Sequence, residues 1–168
     1  MKSIQLTRIL FIALMLTTVL TACKKKDSPA SAAANEITDA TELEVYLSWS
    51  LTDNSAATTS ADLDLYLFKG NITLESQLAT ATQIAVSDNS DNFETIALAS
   101  SAADGQYTIV LDYFEILKAG KYTLRFKGTG SGKIYNVADV SFTVAEDGKV
   151  KLPVLITKAG QKFTVTKK

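Results

Sequence analysis

Histidine is absent from the 168 residues, and cysteine occurs once, at Cys23. Without histidine the chain cannot assemble a Ser-His-Asp triad, a Cys-His pair or a histidine-rich zinc site, the commonest routes to hydrolysis. An acid pair acting on glycosides needs only carboxylates, but any two of the 18 acidic residues would qualify, so no pair is singled out. The chain reads as non-catalytic. Neither sign of charge dominates, with 17 basic residues against 18 acidic ones. A basic stripe for nucleic acid is therefore not expected. The apolar run near the N-terminus falls short of the roughly 20 residues that span a bilayer comfortably.

What that run does resemble is an export signal. Lys2 and Arg8 precede the apolar residues from Ile9 to Leu16, which continue through Thr17 and Thr18 to Val19 and Leu20. This is the layout of a secretory signal: charged start, short apolar centre, small residues at the cleavage site. Its ending, Leu20-Thr21-Ala22-Cys23, resembles the lipobox of bacterial lipoproteins. The resemblance implies that residues 1–22 are a signal peptide cut before Cys23, and that the cysteine is acylated on its sulfur and its new amino group. It also implies a lipid anchor in the bacterial cell envelope, at the outer membrane, on its periplasmic or surface face. Removing residues 1–22 takes Lys2 and Arg8 from the 17 basic residues and none of the 18 acidic ones, leaving a net charge of −3. With Cys23 acylated no thiol remains, and the fold must stand on its core without a disulfide.

After Cys23 come Lys24, Lys25, Lys26 and Asp27, then Ser28, Pro29 and an alanine- and serine-rich stretch to about Asn35. Little here can bury apolar surface. Residues 23–40 therefore read as the lipidated cysteine and a disordered tether. The lysines form a solvated cluster that attracts anionic head groups at roughly 1 kcal/mol per charge. Cys-Lys-Lys-Lys-Asp also resembles the lysine-plus-acid export signal of Bacteroidota-type surface lipoproteins, although a single acid follows the lysines.

From Thr41 the dominant period is two. Leu43, Val45, Leu47, Trp49 and Leu51 alternate with Glu44, Tyr46, Ser48 and Ser50, as in a half-buried strand. Leu63, Leu65 and Leu67 repeat the pattern. So do Tyr107, Ile109, Leu111 and Tyr113, then Tyr122, Leu124 and Phe126, then Val140, Phe142 and Val144. Weaker strands are expected at 84–86, 93–98, 150–156 and 162–166. Asx- and glycine-rich turns fall between them, including Asp88-Asn89-Ser90-Asp91-Asn92 and Gly128 to Gly132. Leu74 to Thr80 and Tyr113 to Ala119 are the only short helix candidates. Eight or nine strands with one polar face each predict an all-β domain over residues 41–168: a two-sheet antiparallel β-sandwich, jelly-roll-like or Ig-like. A small β-barrel is the alternative. Trp49, Tyr107, Tyr113 and Tyr122 lie on the apolar parity and belong to the core.

Ala61-Asp62-Leu63-Asp64-Leu65-Tyr66-Leu67-Phe68 and Ala119-Gly120-Lys121-Tyr122-Thr123-Leu124 resemble two strands of bacterial pre-peptidase C-terminal domains. Those exported sandwiches accompany secreted enzymes, and some bind calcium. Gly128-Thr129-Gly130-Ser131-Gly132-Lys133 superficially resembles a phosphate-binding loop. Lys127 stands where the first glycine belongs, however, and Ile134 stands where a magnesium-ligating Ser or Thr belongs. It reads as a hairpin loop.

Two clusters remain as candidate sites. Asp62 and Asp64, two residues apart, share one strand face, and Asp88 with Asp91 occupy an oxygen-rich loop. Converged, the four would offer calcium the hard oxygen ligands it prefers; separately, they are solvated carboxylates and turn formers. Tyr46, Tyr66 and Phe68 occupy the polar parity of the first two strong strands, and paired strands would set them in a platform for a sugar or a protein. Cross-strand aromatic pairing or cover by a loop is the simpler account. The functional expectation is a membrane-anchored binding module for a glycan or an envelope protein. The alternative is a structural or assembly lipoprotein without a small ligand.

Overall fold

The computed structural model describes residues 35–168. The expected signal peptide, Cys23 and the three lysines lie outside the described residues. Ten strands follow in order: β1 (Glu36–Thr38), β2 (Glu42–Leu51), β3 (Ala61–Lys69), β4 (Gln83–Ser87), β5 (Phe93–Ala99), β6 (Gly105–Ile116), β7 (Gly120–Gly128), β8 (Ile134–Phe142), β9 (Val150–Ala159) and β10 (Lys162–Lys167). They form two antiparallel sheets. One has the order β1-β10-β9-β6-β3-β4, the other β5-β2-β7-β8. Each sheet keeps two open edges, so the fold is a β-sandwich and not a closed barrel.

The period-two residues meet between the sheets. Leu43, Val45 and Leu47 of β2, Leu63, Leu65 and Leu67 of β3, and Leu124 and Phe126 of β7 are all fully buried. Each such side chain contributes roughly 1.5–3 kcal/mol through removal from water. Trp49, Tyr107, Tyr113 and Tyr122 are core residues, none more than 3% exposed. The outer face of the larger sheet is partly covered as well. Residues 70–82 run across it as a strap, packing Ile72, Leu78 and Ala81 on Phe68, Val110 and Leu152. Thr108 Oγ1 fastens the strap by accepting from Ile72 N at 2.9 Å and donating to the Gly70 carbonyl at 2.8 Å.

Three boundaries differ from the expectation. Residues 36–38, expected within the tether, form a strand instead: Ile37 is fully buried and β1 pairs with β10 as an edge strand. Tyr113 to Ile116 continues β6 instead of turning helical. Val144 leaves the strand pattern, is 51% exposed and opens a short 3₁₀ turn over Val144–Glu146. The other helix candidate is a 3₁₀ segment, Glu75–Thr80, within the strap.

Candidate functional site

The four proposed calcium ligands do not converge. Asp62 and Asp64 do share the outer face of β3, but Asp88 and Asp91 are exposed in the β4–β5 loop. Among the described residues no group of three or more acidic side chains is gathered closely enough to hold a metal ion. The loop is directed elsewhere. Asn89 donates from its backbone N to Glu94 Oε1 at 2.9 Å and from Nδ2 to Oε2 at 3.0 Å, and Ser87 Oγ bonds the same carboxylate. Glu94 sits on the inward parity of β5 and is fully buried. Glu94 shares this parity with Ile96 and Leu98, the buried apolar residues of the strand.

Asp64 is only 8% exposed, and its Oδ2 receives the Tyr66 hydroxyl at 3.4 Å. Burial, with Asp62 and Asp112 nearby, raises its carboxyl to about 6. Asp62 and Asp112 are also pushed upward, chiefly by burial. One oxygen of Asp62 is buried without a hydrogen-bond partner. The face therefore holds a protonatable acidic patch.

The aromatic platform does not form either. Tyr46 belongs to β2 in the smaller sheet, whereas Tyr66 and Phe68 belong to β3 in the larger one. Tyr46 packs under Arg125, its cross-strand neighbour, whose Cζ lies 5.6 Å from the ring centroid. Phe68 is covered by the strap, and Tyr66 tilts against it with centroids 6.3 Å apart. Cross-strand pairing and loop cover account for all three rings.

The glycine-rich segment is the β7–β8 hairpin loop, and it wraps a carboxylate of its own chain. Asp39, 2% exposed, accepts from Ser131 N at 2.6 Å, Thr41 N at 2.8 Å and Glu42 N at 3.1 Å. Burial pushes its carboxyl up, but these donors outweigh it and hold the group at about 2. A Cβ on Gly128 would sit 2.6 Å from Asp39 Oδ2, so glycine is needed for the close approach.

The feature with the geometry of a binding site was not anticipated. At one corner of the sandwich, residues of β6, β7, β8, β9 and β10 line an open cleft of about 290 Å³. This lies at the lower edge of the range for small-ligand sites, about 300–1,000 Å³. Tyr113, Tyr122, Val137 and Val140 form its floor. Tyr113 meets Tyr122 edge-on at 6.4 Å between centroids. Burial raises both hydroxyls above their ordinary range.

Strand β8 bulges at the mouth. It takes three steps from Val137 to Val140 while β7 takes two from Leu124 to Tyr122, and Asp139 adopts a φ of 55°. Bulges and left-handed non-glycine residues of this kind recur beside functional sites. On the rim, Lys151 Nζ pairs with Glu146 Oε1 at 2.7 Å and lies 5.8 Å from the Tyr113 ring centroid. That pairing, the largest influence on Glu146, keeps its carboxyl below the usual range. The turn carrying Glu146 is tied to β6 through Ile116 N to Asp147 Oδ1 at 2.6 Å and Gly148 N to the Tyr113 carbonyl at 2.8 Å. The rim is therefore held in place before any ligand arrives.

No protein-family model, curated protein or solved structure matches this chain.

Proposed function

We propose that the chain is an exported lipoprotein, anchored in the bacterial cell envelope through an acylated Cys23, whose β-sandwich is a non-catalytic binding module for a glycan or an envelope protein. The observation that carries the binding reading is the corner cleft, with its aromatic floor and prearranged polar rim. Glycoside hydrolysis uses two carboxylates. The cleft is lined by one, Glu146, already paired with Lys151, which favours binding over chemistry. The anchor reading is supported by the position of the chain's one cysteine directly after the apolar leader. Two acyl chains suffice for stable attachment, so a triacylated Cys23 would hold the protein permanently.

The anchor is tested by mass spectrometry of the membrane fraction. Wild-type protein should carry a lipid-modified N-terminal cysteine and resist high salt, while Cys23→Ser should be released or retain its signal. Unmodified protein that washes off with salt would overturn the anchor. Binding is tested by screening the mature lipoprotein against an array of bacterial and host glycans and against solubilised envelope proteins; no saturable ligand in either screen would overturn it. A second reading, an assembly lipoprotein without a small ligand, is favoured by edge strand β4. It has no charged residue and leaves Ile84 and Val86 42% and 43% exposed. Unprotected edges of this kind pair readily with other chains.

A further inference from the structure

We propose that the corner cleft binds a small hydroxylated carboxylate, of which one uronic acid unit is the natural probe. The proposal rests on the binding-module reading and specifies its ligand. Its basis is a mismatch of charge. Three lysines line the cleft, Lys151, Lys167 and Lys168, against the single carboxylate of Glu146. Lys151 is neutralised by Glu146 at 2.7 Å. Among the described residues neither Lys167 nor Lys168 enters an ion pair; the Lys168 ammonium donates instead to the Ile72 carbonyl at 2.5 Å. With the Lys168 ammonium turned to the strap, Lys167 is, among the described residues, the lining cation left without a partner. An anionic group is thus the complement this rim lacks.

The floor specifies the remainder of the ligand. Ser141 adds an exposed hydroxyl at the mouth. Val140, Leu152 and Pro153, half-buried in the lining, supply apolar surface against which a sugar ring packs its C–H faces. The cleft's size admits one ring and excludes a folded partner, and its openness at the β8 bulge lets the ring be free or the end of a chain.

The test is titration calorimetry of the mature lipoprotein in detergent micelles with glucuronate, galacturonate, glucose and acetate. A uronate should bind saturably and at least tenfold more tightly than glucose or acetate, and its affinity should fall as salt rises. Lys167→Ala should weaken uronate binding about three- to tenfold with unchanged melting. Val140→Trp should fill the cleft and abolish binding. Should that variant misfold, Ser141→Trp blocks the mouth from an exposed position. A short oligosaccharide with a terminal uronate, compared with the free sugar, separates chain ends from monosaccharides as the source. Equal affinity for glucose and glucuronate, or uronate binding indifferent to these substitutions, would overturn the proposal. Failure of all four probes while the glycan or protein screen yields a ligand would overturn it and leave the binding module standing. Failure of both would remove the two together.

Discussion

The indole Nε1–H of Trp49 donates to the backbone carbonyl of Ala61 at 3.2 Å, and the bond runs from β2 in one sheet to β3 in the other. The surrounding contacts between the sheets are largely apolar and non-directional. This hydrogen bond adds a directional tie between the sheets.

Two substitutions separate the volume of Trp49 from its hydrogen bond. Trp49→Ala removes a side chain that is 3% exposed and should cost about 3–5 kcal/mol, a large part of a domain's roughly 5–15. Trp49→Phe keeps most of the apolar volume and should cost less, about 1–3 kcal/mol, from the lost donor and residual void. Denaturant unfolding monitored by far-ultraviolet circular dichroism reads both. Equal losses would mean that the hydrogen bond contributes nothing beyond packing.

Asp39 predicts an acid limb of the stability curve. Its carboxyl titrates at 3.8 in an unperturbed chain and at about 2 in the fold, so the unfolded state binds the proton more tightly. The group's contribution is present in full above pH 4 and is lost as pH falls toward 2. Asp39→Ala should cost about 2–4 kcal/mol at pH 7, because it leaves the donors at Thr41, Glu42 and Ser131 without their acceptor. It should also flatten the decline between pH 4 and 2. Melting curves across that range, wild type against variant, check both effects.

The sandwich was legible because its core strands bury one face and leave the other polar, as the alternation of Leu43, Val45, Leu47 and Trp49 shows. Period two reports which parity is buried, and that suffices for sheet class. It does not report which strands share a sheet. Tyr46 and Tyr66 have the same parity on consecutive strong strands, yet the chain crosses between sheets from β2 to β3 and separates them. Glu94 and Asp39 were illegible for a related reason: a carboxylate is buried when backbone and side-chain donors converge on it, and those donors come from elsewhere in the chain. The cleft was legible only in part. Its tyrosines were assigned to the core, where they are, but the β8 bulge that opens the corner has no signal in periodicity.

Gly120 predicts a steric limit within the smaller sheet. A Cβ there would lie 2.4 Å from Phe142 Cζ and 2.5 Å from the Ser50 carbonyl oxygen, and the backbone oxygen cannot swing away. Gly120→Ala should therefore destabilise by about 1–3 kcal/mol through overpacking. Gly132, with a φ of 68° and open space around its Cβ position, is the control. Gly132→Ala should cost only about 1 kcal/mol of backbone strain. The difference in melting temperature between the two alanine variants measures the close approach.

Asp64 predicts a pH dependence of the opposite sign to that of Asp39. Burial, then Asp62 and Asp112, raise its carboxyl to about 6 from the ordinary 3.8, so the native state holds the proton more tightly than the unfolded chain does. Below pH 4 the group is protonated in both states; as pH rises from 4 to 6 the fold loses stability, and above 6 the loss is complete. Asp64→Asn supplies an uncharged amide of the same shape. It should raise stability at pH 7 by about 1–2 kcal/mol and flatten the slope between pH 4 and 6. Millimolar calcium should shift the melting temperature of wild-type protein no more than magnesium at equal ionic strength, since among the described residues no three acidic side chains are gathered closely enough to hold an ion. A calcium-specific rise in wild type that Asp64→Asn abolishes, together with a less stable variant at pH 7, would show that the patch is built for a cation and not merely frustrated by its own charge.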